Sequence, residues 1–475
     1  MSIQLTLGEV LRGLGAPVEG VNHAINDAVI DSRQAGPGSL FVALPGEHAD
    51  GHDFVQDAFN KGASAALVSQ ELPGEFNLLD LREPLASLPG DEIELPVVLR
   101  VADSLEGLQR LAGYWRRQLD VRVVGITGSV GKSTTKELVA AVLGVRYKTF
   151  KNPGNLNNEI GLPLTLLGLR EDHQRAVLEM GFYVPGEIAL LCDISLPHVG
   201  VITNVSQVHM ERAGSLEAIA RGKSELVENL PPSSEGVAIL NYDEPLVREM
   251  SARTEARILY YGLTPEADLW ADEIEGLGLE GVRFVLHYED ESLHVRVPLL
   301  GRHSVHTALR AAAVGLVEGM NWQQILGGLQ ETGTQLRLMA VNGPKGALLL
   351  DDTYNAAPAS TFAALNLLQD LEGRRVAVLG DMLELGDYEE RGHRIVGARA
   401  AQLVDELVTV GERARWIADE ARRAGLPSEA IVELTDSQAA IEHLRGEIDL
   451  GDVVLIKGSH GMRMDMIVSE LEEPS

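Results

Sequence analysis

The chain has 475 residues, of which 45% are hydrophobic, and this length predicts about three globular domains. Its formal net charge of −30 excludes nucleic acid as an expected partner, because contacts to phosphate backbones need clustered Lys and Arg side chains. The single cysteine, Cys192, excludes an intramolecular disulfide. With no charged leader and no apolar run of about 18 residues, we expect a cytoplasmic protein without a membrane span.

The N-terminal segment has the pattern of a small α/β module. A helix is predicted from Leu7 to Leu14, with Thr6 placed to cap its first turn. A buried strand is predicted at Leu40 to Leu44. An acidic, proline-bearing stretch over residues 71–96 then separates this module from the next apolar run. We therefore place the first domain at residues 1–96.

The most informative stretch runs from an apolar strand through Thr127-Gly-Ser-Val-Gly-Lys-Ser133 into a predicted helix. Backbone N–H groups of such a turn bind phosphate, Lys132 supplies charge for the outer phosphates, and the Ser133 hydroxyl can ligate Mg²⁺. A chance Gly-Lys-Ser in a turn is the alternative, but the order of strand, loop and helix favours a phosphate site. The usual loop has a glycine five residues before Gly131, where this chain has Ile126, so the loop is a tighter variant.

Three polar residues of the central region are candidates for metal binding or catalysis. Glu179 closes a predicted strand, and a strand-end carboxylate is a typical Mg²⁺ ligand, with a solvated glutamate as the alternative. His209 follows the predicted strand at Val199 to Thr203, and alone it would more often be structural. Lys223 lies on a predicted helix, where an exposed lysine is the alternative.

The pattern changes between Asp268 and Leu300 to period-two strands such as Val282 to His287. This predicts an antiparallel excursion before a helix at His303 to Val317. The alternation of apolar strands and helices before it is typical of a mostly parallel sheet covered on both faces. We place this central domain at residues 97–334.

A third unit begins near Gln335 and has buried strand runs separated by helices. The strand runs are Ala347 to Asp351, Arg375 to Leu379, Leu407 to Val410 and Val453 to Ile456. This pattern is typical of dinucleotide-binding folds, but the Gly-x-Gly-x-x-Gly loop is missing, so we predict no bound dinucleotide. We place this domain at residues 335–475.

Nine further motifs are spread along the chain. They are Asp31-Ser-Arg33, Gly38-x-Leu-Phe-Val-Ala-Leu44, Gly51-His-Asp-Phe54, Lys151-Asn-Pro-Gly-Asn-Leu-Asn-Asn-Glu-Ile-Gly-Leu-Pro163, Gly301-Arg-His303, Asp351-Asp-Thr-Tyr-Asn-Ala-Ala-Pro358, Gly380-Asp-Met-Leu-Glu-Leu-Gly386, His393-Arg394 and Lys457-Gly-Ser459. Together with the phosphate loop, they resemble the Mur ligase family over the whole chain. The last three resemble the branch of that family that adds D-alanyl-D-alanine.

The resemblance implies an α/β fold of three domains: a small N-terminal UDP-binding module, a central P-loop mononucleotide-binding domain and a C-terminal Rossmann-like domain that takes the amine substrate. It implies an ATP-dependent ligase that activates the carboxylate of UDP-N-acetylmuramoyl-tripeptide as an acyl phosphate and joins it to D-alanyl-D-alanine, as peptidoglycan synthesis requires. The implied cofactors are ATP and Mg²⁺, and the implied partners are small-molecule substrates. We expect a monomer.

The resemblance also implies roles for matched residues. The catalytic set would be Lys132, Lys223, His209 and Arg337, with Lys223 carbamylated and Arg337 brought onto the γ-phosphate when the third domain closes. ATP would contact Thr127, Gly128, Ser129, Val130, Gly131, Lys132, Ser133, Thr134, Asp352 and Asn355. The other substrates would contact Asp31, Ser32, Arg33, Asn157, Asn158, Asp381, Glu384 and Lys457. Ser133 and Glu179 would hold one Mg²⁺, and His209 would hold a second Mg²⁺ near the acyl phosphate.

The chain also departs from the family pattern. Ser304 and Thr307 stand where the family has Asn, which alters the expected adenine or ribose contacts. Phe182-Tyr-Val184 replaces a more polar segment, and Leu336 replaces a glycine before Arg337. None of these belongs to the phosphate and metal set, so they indicate a divergent lineage with the same reaction.

Two alternatives stay open. The first is a Mur-type ligase for another amine, either the third-residue-adding enzyme or a folylpolyglutamate-like one. The segment from Gly380 to Gly386, and the lack of an Asp-Asn-Pro-Arg-like segment, weigh against it. The second is a P-loop NTPase that drives a partner's conformational change, and here no Asp-rich Walker B strand follows the loop.

Overall fold

The computed structural model describes residues 5–16, 20–46, 49–83, 93–206, 215–331 and 339–473. Contacts within the chain divide it into two compact units. The first comprises Met1–Gly125, Tyr147–Gly181 and Gly186–His198, and the second comprises Ile126–Arg146, Phe182–Pro185 and Val199–Ser475. Both units combine helices with parallel strands, so the predicted α/β class is confirmed.

The described strands and helices are numbered in chain order. The strands are β1 Leu5–Thr6, β2 Ala24–Ile25, β3 Asp27–Val29, β4 Ser39–Val42, β5 Ala65–Val68, β6 Asn77–Asp80, β7 Val97–Arg100, β8 Arg122–Thr127, β9 Thr149–Lys151, β10 Arg175–Glu179, β11 Val199–Ile202, β12 Val237–Asn241, β13 Arg257–Gly262, β14 Leu269–Gly276, β15 Val282–Tyr288, β16 Glu291–Val297, β17 Met339–Asn342, β18 Leu348–Asp352, β19 Arg375–Gly380, β20 Glu406–Val410, β21 Ile431–Leu434 and β22 Val453–Lys457. The helices are α1 Leu7–Gly13, α2 Val55–Asn60, α3 Ser104–Arg117, α4 Lys132–Gly144, α5 Gly161–Leu167, α6 Glu187–Ser195, α7 Leu216–Glu228, α8 Pro245–Arg248, α9 Ser304–Val317, α10 Trp322–Leu329, α11 Pro358–Gln369, α12 Glu389–Ala400, α13 Arg415–Arg423, α14 Ser437–Glu447 and α15 Asp465–Leu471.

The first unit contains a five-stranded parallel sheet with the strand order β3-β4-β5-β7-β6. Every residue of β4 and β5 is buried, as expected for parallel strands covered on both faces. The predicted N-terminal helix is confirmed as α1. The Thr6 hydroxyl accepts a hydrogen bond from the Glu9 N–H, and the Glu9 carboxylate accepts one from the Thr6 N–H, so the two residues form a capping box.

The first unit also includes α3, α5, α6 and the parallel pair β9 and β10. The α3 helix packs against α5 and α6. The carboxylate of Asp103 caps it by accepting hydrogen bonds from the Leu105 and Glu106 N–H groups. Cys192, the one cysteine of the chain, is buried on α6.

In the second unit, strands β11, β12, β13 and β14 pair in parallel in that order. Strands β15 and β16 extend this sheet with antiparallel pairing. The antiparallel excursion predicted between Asp268 and Leu300 is therefore confirmed. The predicted helix that follows it is confirmed as α9, which packs against α4 together with α10. These contacts hold α4, the helix that follows the phosphate loop, in place.

The second unit also contains a six-stranded sheet with the order β17-β18-β22-β19-β20-β21, in which only the β17 pairing is antiparallel. Alternate strand residues face two cores. Leu350 and Ala377 pack with α11, α12 and α13, whereas Leu349 and Val376 pack with α14 and α15. The four predicted strand runs of this region are confirmed as β18, β19, β20 and β22.

The domain limits at 96/97 and 334/335 stay predictions, and the second of them lies outside the described residues. No helix in the described part of the chain is long and apolar enough to cross a lipid bilayer.

Candidate active site

The phosphate loop lies in the second unit and leads into α4. Gly131 is the N-cap residue of α4 and has a φ of 84°, a left-handed conformation that glycine adopts without strain. Gly128 has a φ of 146°, and a Cβ atom added there would lie 1.8 Å from Oγ1 of Thr203. Both positions therefore require glycine, and the positive end of the α4 dipole lies at this loop.

The residues that follow β11 hold the loop in place. The Thr203 hydroxyl and the Asn204 amide both donate to the Val130 carbonyl, at 2.7 and 3.0 Å, and Asn204 Oδ1 accepts from the Val130 N–H at 2.8 Å. The Ser129 N–H donates to the Asn204 carbonyl at 2.9 Å, and its hydroxyl donates to the Ser206 carbonyl at 3.1 Å. This supporting role of Thr203 and Asn204 was not predicted from the sequence, although both residues lie in the run that precedes His209.

Lys132, Ser133 and Thr134 form the first turn of α4. The Lys132 ammonium donates to the carbonyls of Gly128, at 2.9 Å, and Ser129, at 3.3 Å, so its charge lies over the loop. Ser133 is largely buried, with 9% of its surface exposed. Three of the predicted phosphate-binding residues therefore lie together on one helical turn.

Lys223 lies on α7 and is buried, with 1% of its surface exposed. Its Nζ lies 4.9 Å from the centre of the Phe182 ring. Burial, and then the nearby charge of Lys132, lower the pKa of Lys223 well below its ordinary value. Gly222 leaves room for the ring, because a Cβ atom added there would lie 1.9 Å from it. The alternative of an exposed lysine is therefore wrong, and the environment favours a neutral amine.

Glu179 ends β10 in the first unit and is also buried, with 1% of its surface exposed. Its Oε1 accepts a hydrogen bond from the Asn157 amide at 2.9 Å. Asn152 binds both backbone groups of Glu179, because its amide donates to the carbonyl at 3.2 Å and its Oδ1 accepts from the N–H at 2.9 Å. Asn158 accepts from the Gly161 N–H at the start of α5. The Asn-rich loop thus packs against the end of β10, and the solvated-glutamate alternative is wrong.

The residues matched to UDP binding lie between β3 and β4 in the first unit. Arg33 is highly exposed and forms a bidentate pair with Asp31, which lowers the pKa of Asp31 to about 2. The Ser32 hydroxyl donates to Asp57 at 2.7 Å, and Lys61 donates to the same carboxylate at 2.8 Å. The module therefore presents an exposed guanidinium beside an ion-paired turn.

The residues matched to the third domain meet at the carboxyl edge of the six-stranded sheet. Lys457 is 2% exposed and donates to the Asp352 carboxylate at 2.6 Å and to the Asn355 carbonyl at 2.8 Å. Asp381 is also buried and accepts from the Ala414 N–H at 2.7 Å. Glu384 is exposed and has a φ of 64°. Lys457 and Asp381 thus have partners within the protein.

His209 and Arg337 lie outside the described residues, and so does Leu336. Among the residues that the structure describes, no group of three or more His, Cys, Asp or Glu side chains is arranged to hold a metal ion.

The two family departures on α9 have local partners. The Ser304 hydroxyl donates to the Leu300 carbonyl at 2.7 Å, and the Thr307 hydroxyl accepts from Arg310 at 3.3 Å. Arg310 is buried, with 4% of its surface exposed. Arg310 was not among the residues predicted to be functional, although an arginine within the apolar stretch Ala308 to Val314 is itself a signal of a functional residue.

Three family models match the chain in the order of its domains. They describe the Mur ligase family catalytic domain at residues 25–75, the Mur ligase middle domain at residues 126–315 and the Mur ligase glutamate ligase domain at residues 336–460. Together these matches cover most of the chain.

A relative and two solved structures match nearly the whole length. The UDP-N-acetylmuramoyl-tripeptide--D-alanyl-D-alanine ligase of Bacillus subtilis is 35% identical, and the match covers 98% of this chain and 97% of that protein. The crystal structure of MurF from Acinetobacter baumannii has a TM-score of 0.84 at 30% identity and covers 99% of both chains. The structure of MurF from Thermotoga maritima in complex with ADP has a TM-score of 0.77 at 26% identity, with 94% of this chain and 97% of that chain covered.

Proposed function

The chain belongs to the Mur ligase family, and we propose that it joins D-alanyl-D-alanine to UDP-N-acetylmuramoyl-tripeptide in a reaction driven by ATP. The product is the UDP-pentapeptide precursor of peptidoglycan. The observation that carries this proposal is a glycine-built phosphate loop with Lys132 over it, in the same unit as the buried Lys223. The full-length similarity to D-alanyl-D-alanine ligases supports this choice of amine.

The reaction needs activation because a carboxylate oxygen is a poor leaving group. An oxygen of the peptide carboxylate attacks the γ-phosphorus of ATP, the bond to ADP breaks, and an acyl phosphate forms. Lys132 and the N–H groups at the start of α4 stabilise the negative charge that develops on the phosphate oxygens. The neutral amine of D-alanyl-D-alanine then attacks the acyl carbon, and the tetrahedral intermediate expels inorganic phosphate and loses a proton to give the amide. Holding both reactants in place should account for much of the rate.

We also propose that Lys223 is carbamylated. Its neutral amine nitrogen adds to the carbon of CO₂ and releases one proton, so a neutral side chain becomes an anionic carbamate. Only a neutral amine can react in this way, and burial lowers the pKa of Lys223 in the direction that favours the neutral form. A carbamate here would bring negative charge to a region that otherwise holds the Lys132 ammonium.

We propose Mg²⁺ as the second cofactor. The candidate donors fit a hard cation, because Ser133 offers a hydroxyl oxygen and Glu179 a buried carboxylate oxygen. His209 would hold a second Mg²⁺ near the acyl phosphate, as the family resemblance implies. Mg²⁺ at these residues would neutralise charge on the phosphates.

The remaining assignments are proposals of the same kind. Asp31, Ser32 and Arg33 would bind the UDP moiety, Asn157 and Asn158 the peptide substrate, and the third domain the dipeptide. Arg337 would contact the γ-phosphate after the third domain closes. A monomer in the cytoplasm agrees with these small-molecule substrates.

Phosphate release tests the proposal directly. The assay contains ATP, Mg²⁺, UDP-N-acetylmuramoyl-tripeptide and D-alanyl-D-alanine, and each peptide substrate is omitted in turn. We expect sustained release only from the complete mixture, with L-alanyl-L-alanine as an inactive control. Release that needs neither peptide substrate would favour the NTPase alternative. Release with a single amino acid in place of the dipeptide would favour the ligase for another amine.

A further inference from the structure

Arg310 is a buried cation whose hydrogen-bond partners among the described residues are uncharged, although the charge of Glu244 acts on it. It lies on α9, which packs against α4, and 4% of its surface is exposed. Its Nε donates to the His306 carbonyl at 2.9 Å and its Nη2 to the Thr307 hydroxyl at 3.3 Å. Within the described residues, Nη1 has no hydrogen-bond partner, and no carboxylate forms an ion pair with this guanidinium. A buried charge of this kind is costly unless an anion pairs with it.

The unbonded nitrogen points at the phosphate loop. A Cβ atom added to Gly131 would lie 3.4 Å from Nη1 and 3.8 Å from Nη2 of Arg310. Gly131 caps α4, so Nη1 is aimed at a helix N terminus, where the backbone already favours an anion. On its other side, the guanidinium carbon lies 5.8 Å from the centre of the Tyr261 ring, and the Tyr261 hydroxyl donates to the carbonyls of Ile202 and Thr203. Tyr261 therefore links Arg310 to the residues that hold the loop.

We propose that Arg310 is a nucleotide-binding residue whose Nη1 donates to an oxygen of the α- or β-phosphate. The inference rests on the proposed ATP-dependent function and adds a residue to its phosphate site. The inner phosphates are favoured over the γ-phosphate because loop N–H groups of this type hold the α- and β-phosphates, whereas the lysine reaches the outer ones. Arg310 should therefore act on the affinity for ADP as much as on that for ATP.

Calorimetric titration with ADP tests this assignment. The Arg310→Gln substitution removes a hydrogen bond to a charged group, so it should weaken ADP binding about ten- to a hundredfold. The affinity for UDP-N-acetylmuramoyl-tripeptide should stay within about twofold, because that ligand makes no contact with the loop's inner-phosphate position. Arg310→Lys should give an intermediate ADP affinity, because lysine keeps the charge but lacks the fork of donors.

The matched control is Arg116, which is also 4% exposed but donates to the carbonyls of Ser195, Leu119 and Val121. Arg116→Gln should lower the melting temperature and leave ADP affinity unchanged. Wild-type ADP affinity in folded Arg310→Gln would overturn the inference, as would an equal loss of both ligands. If Arg310→Gln does not fold, the ADP affinity of Arg310→Lys is the test, and an affinity equal to that of the wild type would overturn the inference. A wild-type protein that binds no ADP would instead contradict the proposed function.

Discussion

Two regions of the second unit each bury a lysine, and the two lysines have different electrostatic surroundings. At the carboxyl edge of the six-stranded sheet, Lys457 is 2% exposed and pairs with Asp352 at 2.6 Å. In the region of the phosphate loop, Lys223 is 1% exposed and lies against the Phe182 ring, with the positive charge of Lys132 nearby. The first lysine has a counter-ion and the second has a neighbour of its own sign.

The difference shows why burial alone does not identify a catalytic residue. The bonds of Lys457 to Asp352 and to the Asn355 carbonyl hold β22 against the turn after β18. A buried lysine beside another cation is driven toward the neutral amine, which is nucleophilic. The environment of Lys223 thus favours chemistry at its nitrogen, whereas that of Lys457 favours structure.

The largest effect on turnover should come from Lys132→Ala, which removes the positive charge that lies over the phosphate loop. Loss of a preorganised electrostatic group costs about a hundred- to a thousandfold or more in kcat, so turnover should nearly vanish. The melting temperature should stay close to that of the wild type. The matched control is Lys345→Ala, because Lys345 is exposed and pairs with Asp449 at the surface. Activity within about tenfold of the wild type would contradict the role of this loop.

Lys223→Ala removes the lysine that has no counter-ion among the described residues. The rate should fall at least about a hundredfold, because the carbamate that supports catalysis cannot form. Lys223→Glu supplies a carboxylate directly and should recover part of the rate without any dependence on bicarbonate. Steady-state kinetics in CO₂-depleted and bicarbonate-containing buffers will measure both effects. Normal kinetics in Lys223→Ala would make this lysine a packing residue.

The largest effect on stability should come from Lys457→Met. It leaves the mostly buried Asp352 carboxylate without its cation, which should cost about 3 kcal/mol of unfolding free energy. Adding Asp352→Asn should recover part of that loss, because no charge is then left unpaired. In contrast, Lys223→Met should leave stability unchanged or raise it. Denaturant unfolding of the wild type and the three variants will measure these effects, and an equal loss of stability on replacing either lysine would contradict the difference between them.

The sequence predicted the regular elements well because their signals are local. Apolar runs predicted β18 and β22, and Thr6 predicted the start of α1. The phosphate loop was predictable for the same reason, since its glycines, lysine and helix are contiguous.

The supporting contacts of the site were less predictable, because they join residues far apart in sequence. The hydrogen bond between Thr203 and Val130 spans 73 positions, and that between Lys457 and Asp352 spans 105. The burial of Lys223 under Phe182 also depends on the space left by Gly222, which no local pattern encodes. The fold and the phosphate loop could thus be predicted, whereas the pairing or isolation of each buried charge required the structure.

The single cysteine has a practical consequence for measuring motion in this protein. Because Cys192 is buried, its thiol should react slowly with alkylating probes, and the wild type should show little background labelling. Cysteines introduced at exposed positions, such as Leu78 in the first unit and Leu450 in the second, should take up fluorophores selectively. Single-molecule energy transfer between two such dyes could then follow the catalytic cycle in an enzyme that keeps its native thiol.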